Sequence, residues 1–196
     1  AIVAEAGRMC EDVLSPLQRV GDLNPAHLDN GVVRTPPGFD EGYHAIAEGG
    51  WVSISADPEH GGMGLPMTLA TAVNEMISAA CLSLQLSPLM TQGQIEALEH
   101  HASEEIKALY LPKLVSGEWS GTMNLTEAQA GSDVGALRTK AEPNGDGTYA
   151  ITGQKIYISW GDNDFTENVC HLVLARLPDA PKGTKGISLF MVPKFI

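Results

Sequence analysis

Between Met123 and Ala136 the chain reads M-N-L-T-E-A-Q-A-G-S-D-V-G-A, and Thr126, Glu127, Gln129, Ser132 and Asp133 place five hydrogen-bonding side chains within eight positions. With Gly131 allowing neighbouring N–H groups to turn toward one point, such a loop suits a phosphate or the polar edge of a flavin. A surface turn whose Thr, Ser and Asp side chains satisfy its own backbone is the competing reading, and on composition alone it is the simpler one. His100 and His101 stand among Glu96, Glu99 and Glu104. Adjacent residues point to different sides of a helix and no H-E-x-x-H spacing is present, so a solvated helix face is expected there and no metal site. His60, beside Gly61-Gly62, reads as a turn residue as readily as a functional one. No nucleophile elbow, Walker loop or C-x-x-C pair occurs. The G-G-M-G run at 61–64 does not follow a strand, so it lacks the context of a dinucleotide-binding turn.

The elements that must position this loop fall into two halves with different periods. Residues 1–118 read helical. Ala6, Met9, Cys10, Val13, Leu17 and Val20 form one apolar face, with a kink expected at Pro16. Asn24 to Gly38 reads as a long loop, and Asp40 is expected to cap a helix to Glu48 closed by Gly49-Gly50. A helix beginning at Pro66 carries Leu69, Val73, Met76, Ile77, Ala80 and Leu84 as a core stripe. Gln94–His101 and Glu104–Val115, the latter disturbed by Pro112, complete a predicted antiparallel bundle. After Gly117 the period becomes two: Trp119, Gly121, Met123 and Leu125 alternate with Ser120, Thr122, Asn124 and Thr126. Further strands are predicted at Leu137–Glu142, Tyr149–Thr152, Ile156–Ser159, Val169–Ala175 and Ile187–Val192, with P-N-G-D-G marking a hairpin. No helix intervenes, so an antiparallel sandwich or barrel over 119–196 is expected, giving an α+β, two-domain chain.

Composition narrows the function classes. Twelve Lys and Arg against twenty-four Asp and Glu give a net charge of −12, and no basic cluster interrupts it, which disfavours nucleic acid and anionic lipid surfaces as partners. Three dispersed cysteines, Cys10, Cys81 and Cys170, read as small buried side chains in a reducing compartment, and a cytoplasmic location is expected. No window approaches the roughly 18 to 20 consecutive apolar residues of a membrane span. The start lacks the basic region of a signal peptide and an initiator Met, and the end follows a strand-like run, so the chain is expected to be a fragment.

L-T-E-A-Q-A-G-S-D-V-G-A resembles the signature of the acyl-CoA dehydrogenase family, which couples a hydrophobic residue and Ser/Thr-Glu to Gly-Ser-Asp at this spacing. G-Q-K-I-Y-I-S at 153–159 is similar to the family's second flavin-contacting strand, and E-H-G-G-M-G-L-P to the Gly-rich loop of its helical domain. The run V-C-H-L-V-L-A-R-L-P-D-A-P-K-G-T-K-G-I-S-L-F resembles the longer-chain bacterial branch that includes 3-methylmercaptopropionyl-CoA dehydrogenases. Asn124, Ala128 and Gln129 depart from the usual signature but leave Thr126, Gly131 and Ser132 in place.

The resemblance implies FAD as cofactor and removal of hydrogen across the α and β carbons of an acyl-CoA thioester. A carboxylate takes the α proton and flavin N5 the β hydride. Met123, Leu125, Thr126, Gly131 and Ser132 would line the flavin, with Ser132 also reaching the CoA chain. Tyr157, Ile158 and Ser159 would cover the rest of the ring, Ser159 near N5. The family's catalytic glutamate lies in a C-terminal helical domain, so no catalytic residue is expected here and the isolated chain is expected to be inactive. Glu127 is expected to anchor the loop. Electron-transfer flavoprotein as acceptor and a homo-oligomer are implied. An oxidase of the same fold and a non-catalytic scaffold derived from it are the alternatives.

Overall fold

The computed structural model describes all 196 residues. Its helical half opens with α1 (Ile2–Met9) and α2 (Ser15–Leu23), joined by a π-helical turn over Cys10–Leu14. Pro16 lies in the first turn of α2, where its missing N–H is harmless. The expected kink is thus a widened turn just before the proline, which makes room for its ring against the preceding carbonyl.

The predicted loop over Asn24–Gly38 contains a small antiparallel hairpin, β1 (His27–Asp29) with β2 (Val32–Arg34). Its turn is Asn30-Gly31, both left-handed with φ of 49° and 83°, as a two-residue hairpin of this twist requires. α3 (Phe39–Glu48) starts one residue before the expected cap. Gly38 in the left-handed region takes the cap position without a side-chain bond, and Asp40 sits in the first turn, where its charge favours the helix dipole.

Met67–His101 forms a helical run, α4, broken at Cys81 (φ −154°, ψ 84°), where two helical stretches meet at a kink. The expected helix at Gln94–His101 is the end of this run, and Pro66 caps it from outside. By length and composition one stretch of α4 could cross a membrane. Here thirteen of its residues are buried, and Thr91 and Gln94 bond to the adjoining sheet, so it serves as the core helix. α5 (Glu104–Val115) is capped by Ser103, whose hydroxyl accepts from Ile106 N, and it runs through Pro112. Phe39, Tyr43, Ile46, Ile77, Leu84, Ile95, Leu111 and Leu114 are fully buried in one cluster. Each such side chain contributes about 1.5–3 kcal/mol by leaving water.

β3 (Trp119–Asn124), β6 (Asn168–Ala175) and β7 (Ser188–Pro193) form a sheet in the order β3-β6-β7. The pairing of β6 with β7 is antiparallel, but β3 runs parallel to β6, with Trp119 opposite Asn168 and Asn124 opposite Val173. The all-antiparallel expectation is corrected here. A parallel pair needs a long crossover rather than a helix as such, and residues 125–167 supply one from a hairpin and irregular chain. That hairpin is β4 (Lys140–Pro143) with β5 (Tyr149–Thr152), turning at P-N-G-D-G as predicted.

The two halves share a core. α4 and α5 pack on β3. Gly121 N donates to Thr91 Oγ1 at 3.0 Å, Gln94 Nε2 donates to the Cys170 carbonyl at 3.1 Å, and a Cβ on Gly121 would stand 2.0 Å from Gln94 Oε1. Only glycine lets the helix approach the strand this closely. All three cysteines are buried and free, and no group of three or more His, Cys, Asp or Glu side chains could hold a metal ion.

Candidate functional site

Leu125 and Thr126 leave the end of β3, and the chain at once closes a tight turn in which Glu127 N donates to Ala130 O and Ala130 N to Glu127 O, at 2.9 and 3.0 Å. Glu127 itself turns inward and is only 5% exposed. Its Oε1 accepts from Thr139 Oγ1 (2.6 Å), Thr139 N (3.0 Å) and Lys155 Nζ (2.9 Å), and its Oε2 from Arg138 N and Gln129 Nε2 (both 2.7 Å). Burial by itself raises this carboxyl. The bonds from the Thr139 hydroxyl, the Lys155 ammonium and the two amides outweigh it and bring the pKa down to about 2.

Lys155 does more than neutralise the carboxylate. Its ammonium also donates to Leu125 O at 3.0 Å, and Ile156 N donates to Thr126 O at 3.0 Å. The two motifs, thirty residues apart, are thereby laid side by side. Neither Lys155 nor Thr139 was singled out from sequence. The Lys of G-Q-K was a usable signal, since a lysine within an apolar alternation needs a buried partner.

The predicted strand at Ile156–Ser159 is absent: Gly153–Ser159 is irregular. Tyr157 has φ of 56° and a side chain that is 91% exposed. Strand geometry is lost because this segment is held through the Lys155 side chain and one backbone bond rather than a ladder. Ile158 is half-buried and Ser159 exposed, and Ile158 O accepts from Gly161 N at 3.1 Å, closing a turn. On the first motif, Met123, Leu125 and Thr126 are half-buried while Gly131 and Ser132 are exposed, and a Cβ on Gly131 would meet nothing within 4 Å. The structure therefore joins Leu125 and Thr126 to the foot of the Tyr157–Ser159 segment, whereas Gly131 and Ser132 stand on the far side of the Glu127 turn.

The amides of Leu125, Thr126, Gly131, Ser132, Tyr157, Ile158 and Ser159 meet no backbone carbonyl. Exposed amides such as these are free to bond water or a ligand's polar edge and phosphates. None of the three principal clefts is lined by these residues.

The family model for the acyl-CoA dehydrogenase N-terminal domain matches residues 2–118, and that for the middle domain matches residues 122–195. The chain belongs to the acyl-CoA dehydrogenase family. It is 50% identical over 196 residues to 3-methylmercaptopropionyl-CoA dehydrogenase of Ruegeria pomeroyi, covering all of this chain and 33% of that protein. It is 41% identical over 192 residues to a butyryl-CoA dehydrogenase of Syntrophomonas wolfei, covering 96% and 31%. The chain thus spans about a third of the length of these curated relatives. Among solved structures, one described as PigA with FAD and proline superposes with a TM-score of 0.77 at 23% identity, covering 99% of this chain and 47% of its own. Another, described as electron transferring flavoprotein of Acidaminococcus fermentans, gives 0.75 at 26% identity, covering 100% and 47%. Within the family frame, the Glu127–Lys155 knot is what gives the signature loop its shape.

Proposed function

We propose that this chain forms the flavin-holding and part of the acyl-holding portion of an FAD-dependent acyl-CoA dehydrogenase. The observation that carries the reading is the stitching of Leu125–Thr126 to Lys155–Ile156, which brings the two motifs side by side with the Tyr157 ring exposed next to them. Flavin supplies a two-electron hydride acceptor when bound. The amides and side chains of Leu125 and Thr126 would bind the ring's polar edge, with Met123 at the end of β3 beneath it. Gly131 and Ser132 would offer N–H and hydroxyl donors to phosphates and to the CoA chain, and Tyr157, Ile158 and Ser159 would flank the ring, Ser159 as a hydroxyl donor near N5.

Glu127 is unsuited to take the α proton, because both its oxygens are engaged and its pKa is about 2. The base is assigned to a further helical domain, and the isolated 196-residue chain to an inactive state. The natural electron acceptor is assigned to an electron-transfer flavoprotein, the working state to a homo-oligomer and the location to the cytoplasm. Butyryl-CoA and 3-methylmercaptopropionyl-CoA, after the two curated relatives named above, are the substrates to test first. The test is the visible spectrum of the full-length protein carrying this chain. Flavin bands that bleach on anaerobic addition of butyryl-CoA or 3-methylmercaptopropionyl-CoA are expected, and a colourless protein overturns the reading.

A further inference from the structure

Three non-glycine residues have positive φ, and two of them, Tyr157 and Trp160, bracket Ile158 and Ser159. Trp160, with φ of 51°, occupies the third position of the turn closed by Gly161 N and Ile158 O. A bulky side chain in the left-handed region is disfavoured and persists only where its surroundings hold it. Here they do. Trp160 Nε1 donates to Ser83 O at 2.8 Å, two residues beyond the break at Cys81 in α4. Its ring lies 6.1 Å from that of Phe39 and 5.2 Å from that of Phe165, and Phe165 in turn stacks on Tyr43 at 4.5 Å in the helical core. Nearby, Asp164 accepts from Thr35 N and Thr35 Oγ1 at 3.2 and 2.7 Å, a second tie from this segment to the helical half.

We propose that Trp160 is a positioning residue: through its bond to Ser83 O it sets the turn that carries Ser159, so that the hydroxyl facing the flavin takes its place from the helical domain rather than from the sheet. This rests on the functional reading above. The Trp160 ring packs toward Phe39 and Phe165. Its action is through the backbone, one residue away from Ser159. The break at Cys81 matters for the same reason. It places Ser83 at the start of a separate helical stretch, so a shift of that stretch moves the indole and the turn together.

Two variants of the full-length holoprotein separate positioning from packing. Trp160→Phe keeps an aromatic ring against Phe39 and removes the Nε1 donor. Trp160→Asn suits the left-handed turn but removes the anchor altogether. In Trp160→Phe the Gly161 amide is expected to exchange about five- to tenfold faster, the loss of one hydrogen bond. We expect kcat to fall by a similar factor with KM for acyl-CoA changed by less than about twofold, the pattern of an interaction felt in the transition state. The long-wavelength flavin band should shift in both variants, more in Trp160→Asn. Wild-type flavin spectrum, kcat and Gly161 exchange in both variants, with only a lower melting temperature, overturn the inference and leave the functional reading intact. A wild-type protein without flavin bands overturns both.

Discussion

The Glu127–Lys155 knot and the exposed positions that flank it, Ser132 on one side and Tyr157–Ser159 on the other (together the rim), differ in their physics. In the knot every polar atom is paired: a buried carboxylate takes five hydrogen bonds and a lysine side chain 9% exposed binds it and a carbonyl. On the rim, amides stand open and an aromatic ring is almost wholly in solvent. A site that must bind a ligand leaves donors unfilled, and it can hold them in place only if something adjacent is over-determined. The knot is that adjacent element, so on the proposed function stability and ligand binding fall to residues few positions apart.

The contrast can be broken hardest at the knot. Lys155→Met strands a buried carboxylate and is expected to cost about 3–5 kcal/mol in urea unfolding; a loss below 1 kcal/mol would mean that the amides suffice without the ammonium. Acid offers the next test. The Glu127 carboxyl is held at about 2 in the folded state against an ordinary 4.5, so the unfolded chain binds more protons between those values. The stability it supplies, on the order of 3 kcal/mol, is full above pH 4.5 and drains away as the pH falls toward 2. Unfolding free energies across that window should flatten in Glu127→Gln, and an unchanged slope in the variant would assign the acid sensitivity to other carboxylates. Thr139→Val removes one hydroxyl from the same carboxylate and should cost about 1.5–3 kcal/mol, measured at neutral pH.

The smallest stability effects belong on the rim and sharpen the comparison most. Ser132→Ala and Ser159→Ala should change the unfolding free energy by no more than about 0.5 kcal/mol. Each should nevertheless weaken flavin retention in the full-length protein by about five- to tenfold, read by equilibrium dialysis. Destabilisation in step with flavin loss would erase the distinction between rim and knot.

Several elements were legible because their signals are local. The helix predicted over Glu104–Val115, P-N-G-D-G between β4 and β5 and the alternation of β3 each depend on neighbours within a few residues. Asn30-Gly31 carried a hairpin signal of the same kind inside what reads as loop, because strands of three residues give too little alternation to register. The parallel pairing of β3 with β6 was not legible, since a period of two says which face a residue takes and nothing about the direction of its partner. Nor was the irregular course of Gly153–Ser159, where I-Y-I-S alternates like a strand but finds no strand to pair with.

By itself the sequence determined the two halves, the family signature and which residue types stand at the site, because hydrophobic period, turn chemistry and motif spacing are all written along the chain. Only the tertiary structure decided that Glu127 points inward to Lys155 while Gly131 and Ser132 point out, and that Trp160 reaches Ser83. Those outcomes depend on contacts between residues thirty to eighty positions apart, and burial, which sets both the pKa of Glu127 and the exposure of Tyr157, exists only once those contacts have formed.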